Sequence, residues 1–378
     1  MKIVVAPDSF KGSLSSTKIA EAIEKGIQKI DPSITVLKVP VADGGEGTVE
    51  ALVCATQGSI IPVTVTGPLL NKVEAFYGIS GDGQTAFIEM AAASGLALLN
   101  RNEYNAMQAT SYGTGELVLH ALNQGCRNII IGLGGSATND GGAGLLQALG
   151  LKLLDHNHSE LAFGGGSLGD LFTFDLSHFD SRINETNFIL ACDVENPLCG
   201  PKGASAIFGP QKGASPSEVL QLDKYLRQFA DLIERDFGKQ VAEIPGAGAA
   251  GGMGAGLMAF LDARIVKGID LIIEVSGLEA SIADADCVIT GEGMIDHQTA
   301  FGKTPLGIAK LAKKHGIPVI GIAGALGQDL EQLYAMGFTS LFAIADRPMT
   351  LDESMLGAKQ LIEKLAVNIV RLLLAGKR

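Results

Sequence analysis

The chain has 378 residues, 47% of them hydrophobic and 19% charged, which is ample material for a core and excludes a disordered chain. Lys and Arg total 29 against 41 Asp and Glu, a net charge of −12, which makes a poor nucleic-acid binder, since a phosphate track needs a positive stripe. The length suits two domains, and 49 glycines without a Gly-X-Y period exclude collagen while pointing to many tight backbone approaches.

In chain order, a short β-branched run at 3–6 leads to Ser15, a candidate cap for a helix that carries Ile19, Ile23, Ile27 and Ile30 on one face. A strand at 35–39 follows, and then Asp43-Gly-Gly-Glu46, which has the form of a capping box. This βαβα order predicts a parallel sheet. Three apolar runs at 60–66, 73–79 and 85–90, separated by short turns, predict an antiparallel meander; 128–131 and 188–191 add strands. Toward the far end come a strand at 287–290, a helix at 305–315, a strand at 318–322, a helix at 330–335 and a strand at 340–344. The closing helix places Leu361, Leu365, Ile369 and Leu372 on one face.

The simplest assembly joins the two chain ends, 1–60 and 285–378, into one domain of five parallel strands. Residues 61–284 are then an inserted α/β domain with a mixed sheet. The apolar opening, Met1 to Val5, is too short for a signal peptide, and the longest uncharged stretch is broken by glycines, so no membrane segment is expected. Five cysteines without a CxxC pair read as reduced and cytoplasmic.

Open parallel sheets bind ligands beyond the carboxyl ends of their strands. Three polar loops stand there. APDSFKGS (6–13) places Asp8, Ser9 and Lys11 before a helix N-terminus, which favours anions. VADGGEG (41–47) carries Asp43. GEGMIDHQTAFGKTP (291–305) gathers Glu292, Asp296, Gln298, Thr299 and Lys303 between Gly291, Gly293 and a helix start. The insertion supplies GLGGSATNDGG (132–142), whose N–H groups suit a phosphate or carboxylate, and Cys192-Asp193-Val194-Glu195 at a strand end. Ser111 to Glu116 and Glu89 are weaker candidates.

Other motifs fail in detail. Gly132, Gly134 and Ala137 fit a dinucleotide spacing, with Asp155 near the ribose position, but residues 139–142 interrupt the helix that the motif requires. Gly302-Lys303-Thr304 ends like a P-loop, yet His297 stands where its first glycine belongs. Neither zinc spacing nor a nucleophile elbow is present. Carboxylates, lysines and anion-cradling glycines facing one gap suit phosphoryl transfer, which is mostly positioning and electrostatics. A nicotinamide-dependent hydroxy-acid dehydrogenase and a non-catalytic, two-lobed sensor of small acids are the competing readings.

Six segments in order resemble the bacterial type-1 glycerate kinase family: APDSFKGSLS (6–15), VADGGEGT (41–48), GLGGSATNDGGAG (132–144), ACDVENPLCGPKGA (191–204), GPQKG (209–213) and TGEGMIDHQTAFGKTP (290–305). The resemblance spans essentially the whole chain. It implies two α/β domains, the end-built one flavodoxin-like, and transfer of the γ-phosphoryl of ATP to D-glycerate with Mg²⁺. The 2-hydroxyl is the expected acceptor, giving 2-phosphoglycerate, with 3-phosphoglycerate the less favoured product. The role expectations follow. Lys11, Asp193, Asp296 and Lys303 are catalytic. Asp8, Ser9, Asp43, Gln298 and Thr299 bind substrate. Gly134, Gly135, Ser136, Gly291 and Gly293 hold phosphate. Asp8 and Glu292 bind Mg²⁺. The partner is a small molecule, with neither nucleic acid nor membrane expected, and a homodimer is left open.

Overall fold

The computed structural model describes residues 1–42, 45, 47–301 and 303–376, with the side chains of Gln298 and Phe301 outside that description. The strands are, in chain order, β1 (Lys2–Pro7), β2 (Thr35–Lys38), β3 (Ser59–Thr66), β4 (Lys72–Ile79), β5 (Thr85–Glu89), β6 (Asn128–Gly132), β7 (Lys152–Leu154), β8 (Thr173–Asp175), β9 (Asn187–Ala191), β10 (Arg264–Val266), β11 (Cys287–Ile295), β12 (Val319–Leu326) and β13 (Ser340–Ala343). The chain divides into two compact units. One comprises Met1–Asp43, Glu50–Thr56 and Gly268–Arg378; the other comprises Gly44–Val49 and Gln57–Lys267.

The first unit is a five-stranded sheet in the order β13-β12-β11-β1-β2, every neighbouring pair parallel. Counted within the unit this is 2-1-3-4-5, the flavodoxin-like order. Ser15 caps the helix Ser16–Gln28 by accepting from the Lys18 N–H, and Ile19, Ile23 and Ile27 are buried against the sheet. Each such burial contributes on the order of 1.5–3 kcal/mol. The helix Leu351–Ala375 crosses this one closely: a Cβ on Gly26 would stand 2.4 Å from the Glu363 carbonyl oxygen. Lys25 and Lys29 both pair with the Glu363 carboxylate. Leu361 and Ile369 are buried there, but Leu372 is 66% exposed. The buried face comprises Ala358, Leu361, Ile362, Ala366, Ile369 and Val370, which leaves Leu372 beyond its edge.

The second unit carries a six-stranded sheet, β10-β9-β6-β5-β4-β3. The pairs from β10 to β5 are parallel and those joining β5, β4 and β3 are antiparallel, giving a mixed sheet with the meander at one edge. β7 and β8 form a separate antiparallel pair.

Residues 268–284 belong to the first unit, although the sequence reading closes the insertion at 284. The helices Gly268–Ser276 and Leu278–Ala283 pack on Thr304–Lys314: a Cβ on Gly307 would meet Ile269 at 2.5 Å, and Glu279 pairs with Lys314 at 2.7 Å. Among the described residues, no helix is long and apolar enough to cross a membrane. Asp43 and Glu46, the two ends of the expected capping box, lie outside the described residues.

Candidate functional site

In the first unit the strand order reverses between β1 and β11, and the loops leaving these strands form the switch point at which such sheets bind ligands. The Asp8 N–H donates to the Gly291 carbonyl at 2.8 Å, which ties the loop to β11. Asp8 is only 5% exposed, and its Oδ1 accepts from the Ser9 N–H at 2.6 Å. Phe10 and Leu14 exchange backbone hydrogen bonds of 2.9 and 3.0 Å. That closure leaves Lys11 and Gly12 exposed at the tip, Gly12 taking the left-handed turn at φ +76°.

β11 is longer than expected. It runs through Gly291, Glu292 and Gly293 to Ile295, so these residues are strand and not loop. Glycine is required at 291 by packing, since a Cβ there would stand 2.0 Å from the Ile322 carbonyl oxygen on β12. A Cβ on Gly293 would find only the Phe10 and Lys11 backbone, at 3.6 and 3.7 Å, so this position lies open toward the β1 loop.

Between these glycines, the Glu292 side chain is 13% exposed. Its Oε1 accepts from the Thr299 hydroxyl at 2.8 Å, and its Oε2 lies 3.2 Å from Lys303 Nζ. The same Thr299 Oγ1 accepts from the Asp296 N–H at 3.2 Å, while the Thr299 N–H donates to the Asp296 carbonyl at 3.0 Å. Glu292, Asp296, Thr299 and Lys303 thus form one connected cluster. Burial pushes the Glu292 carboxyl above its ordinary range; Thr299 and Lys303 oppose this, and the Asp296 charge adds to it. Lys303 is also the N-cap position of the helix Thr304–Lys314, with Pro305 in the first turn. Asp43 lies outside the described residues, as does the side chain of Gln298.

In the second unit, the Gly-rich loop leaves the carboxyl end of β6. Gly135 turns it at φ +73°, and among the described residues no backbone carbonyl accepts from the N–H groups of Gly134, Gly135 or Ser136. The loop is braced from behind by Ala250, Gly251 and Gly252, three consecutive left-handed residues. A Cβ on Gly251 would stand 2.0 Å from the Thr138 carbonyl oxygen, and Gly251 accepts from the Gly141 N–H at 3.0 Å. Asp140 is fully buried and accepts from the Ser111 N–H and hydroxyl, both at 2.8 Å, and from the Gly142 and Gly144 N–H groups. Asp193 is exposed two residues beyond Ala191, the β9 partner of Gly132, so it leaves a strand end beside the Gly-rich loop.

The following helix, Ala143–Ala148, starts only after Gly142 and has six residues. A dinucleotide motif needs its helix to begin at the glycines, so that reading fails on geometry. Sequence reasoning missed Lys212, which is buried behind this loop, and gave Asp140 no role. The one signal for Lys212 was a lysine between glycines in GPQKG, which reads equally well as a surface turn. Among the described residues no group of three or more His, Cys, Asp or Glu is placed to hold a metal.

A family model described as "Glycerate kinase family" matches residues 3–374. The glycerate 2-kinase of Escherichia coli (strain K12) is 53% identical over 378 residues, covering 100% of this chain and 99% of that protein. A glycerate kinase of Bacillus subtilis (strain 168) is 51% identical over 369 residues, covering 98% of this chain and 97% of its own. The crystal structure described as glycerate kinase 2 from Salmonella typhimurium LT2 matches with a TM-score of 0.91 at 50% identity, covering 100% of this chain and 99% of that one.

Proposed function

The chain belongs to the glycerate kinase family, and from that premise we propose that it transfers the γ-phosphoryl of ATP to the 2-hydroxyl of D-glycerate, giving 2-phosphoglycerate and ADP. The observation that carries the reading is the cluster at the β1–β11 switch point. There a buried carboxylate, a hydroxyl and a lysine are hydrogen-bonded together beside Asp296 and the Asp8 loop.

Phosphoryl transfer needs positioning and charge stabilisation more than covalent chemistry. Lys303 and Lys11 supply positive charge to the migrating phosphoryl or to the glycerate carboxylate. Glu292 holds Lys303 in place by its 3.2 Å contact, so the lysine is oriented before substrate arrives. Asp296 accepts the proton of the attacking hydroxyl, with Asp193 the second candidate. Ser9, Thr299, Asp43 and Gln298 are assigned to glycerate, and the N–H groups of Gly134, Gly135 and Ser136 to an anionic group, with Gly291 and Gly293 beside the phosphates.

Asp8, just past the end of β1, and Glu292, within β11, stand at corresponding positions of adjoining strands; with no group of three or more metal-binding side chains among the described residues, they fit a Mg²⁺ that keeps water and substrate phosphates as its other ligands. When bound, Mg²⁺ neutralises charge on the phosphate chain. Incubating the protein with ATP, Mg²⁺ and D-glycerate should release ADP, and phosphorus NMR should show the 2-phosphate ester. No ADP above a glycerate-free control would overturn the proposal, and a 3-phosphate product would correct the acceptor.

A further inference from the structure

Lys212 has no part in the roles assigned above. It closes the short turn Pro210–Lys212, and Gly213 then reverses the chain at φ +89°. The side chain is 2% exposed. Its Nζ donates to Ser136 Oγ at 2.7 Å and to the Thr138 carbonyl at 2.6 Å, so the amine stands directly behind the Gly-rich loop. A neutral amine has two N–H groups, and these two acceptors use both; the ammonium carries a third. The loop geometry therefore accommodates the uncharged form without losing a hydrogen bond.

Burial pulls the Lys212 ammonium down to about 7, and the Asp140 charge, the charged group facing it among the described residues, opposes this. Asp140 is itself pushed up by burial, against four hydrogen bonds that hold it down. In the same peptide run, the N–H groups of Gly134, Gly135 and Ser136 have no backbone acceptor among the described residues, and Gly135 is exposed. A negative group seated on them would approach Lys212 through Ser136. An opposite charge within roughly 4–6 Å favours the charged form of a buried group by about one to three pH units.

We infer that Lys212 is a positioning residue that serves as a proton-linked counter-ion: an oxyanion bound on the backbone of Gly134, Gly135 and Ser136 draws a proton onto its amine. The inference rests on the proposal that this loop holds an anion. The chemistry is shared by a carboxylate and a phosphate, so D-glycerate and ADP are separate arms of the test.

Each ligand is titrated calorimetrically into the intact protein near pH 8, in two buffers of different ionisation enthalpy. The expected result is uptake of about half to one proton for one of the two ligands. It should be absent in Lys212→Met and in Lys212→Gln, the latter keeping an N–H for the Thr138 carbonyl without a titrating group. Ser136→Ala should retain the uptake, because the amine remains. Binding with no net uptake in the wild type, or uptake that persists in both Lys212 variants, overturns the inference. The underlying loop assignment has its own control, Gly135→Asp, which adds a negative charge to the loop itself. If that variant binds both ligands as the wild type does, the anion is not on this loop and both readings fall.

Discussion

Glu292 and Lys303 form an ion pair of 3.2 Å at the end of the central strand, and Thr299 holds the other oxygen of the same carboxylate at 2.8 Å. The carboxylate is largely buried, so its charge depends on these two partners. Removing the charge should release Lys303 while keeping the shape. Glu292→Gln should therefore lower kcat by at least roughly tenfold, with the fold retained by circular dichroism.

The same residue predicts a pH effect on stability. An acid whose folded pKa is raised favours folding while protonated, and that contribution is lost as pH rises through the folded value. Wild-type stability should thus fall relative to Glu292→Gln as pH climbs above the ordinary glutamate value of 4.5. Urea denaturation of both proteins between about pH 4 and pH 8 measures the difference. A constant difference across that range would contradict the assigned cause.

Asp296 is bonded through its backbone to Thr299 on both sides, which fixes the turn that presents its carboxylate. If it accepts the hydroxyl proton, Asp296→Asn should reduce kcat by about 10²–10⁴ with little change in KM for ATP. Steady-state kinetics decide between Asp296 and Asp193, since only the true base should show a loss of this size.

Two glycines of one strand should behave in opposite ways. Gly291→Ala drives a methyl to 2.0 Å from a backbone oxygen that cannot move aside, and should cost about 1–3 kcal/mol or more. Gly293→Ala meets nothing nearer than 3.6 Å and should stay within about 0.5 kcal/mol of wild type. If Gly293 lies beside the phosphates as proposed, its effect should appear in kinetics, as a raised KM for ATP. Thermal melts and initial rates on the two variants separate these outcomes.

Lys212 predicts a slope of its own. Its folded value of about 7 lies below the ordinary 10.5, so the unfolded chain binds more protons between those limits. Stability should rise with pH across that window, by up to about 1.4 kcal/mol per unit, and Lys212→Met should lack the contribution. Denaturant titrations from pH 7 upward on both proteins provide the measurement.

Much of this was legible in the chain. The spacing of Ile19, Ile23 and Ile27 is local, and so is the alternation through the meander, so periodicity reached both. The extension of β11 was hidden because Gly291 and Gly293 look like loop residues; what demands glycine at 291 is a carbonyl on β12, which no local pattern reveals. Helix Gly268–Ser276 is amphipathic, but its sequence does not say which of two cores receives it. Lys212 lies 74–76 positions from the two groups that bury its amine, and a lysine between glycines carries no mark of such a fate. Of the site, the carboxylates and lysines were visible as residue types, whereas the Glu292–Thr299–Asp296 connection depends on how one turn closes.

The pairing of β1 with β11 bears on biosynthesis. Ala6 and Thr290, neighbours in the sheet, are 284 positions apart. At ribosomal rates of about 5–20 residues per second, the first two strands wait on the order of tens of seconds for the strand that completes their sheet. All strands of the mixed sheet emerge during that interval, so the inserted unit has its partners to hand before the enclosing one does. A transcript truncated before codon 287 would leave Ile3, Val4 and Val5 on a two-stranded ribbon with the helix Ser16–Gln28 against it but without β11 and the helix Leu351–Ala375, a fragment fit for proteolysis rather than for half the chemistry.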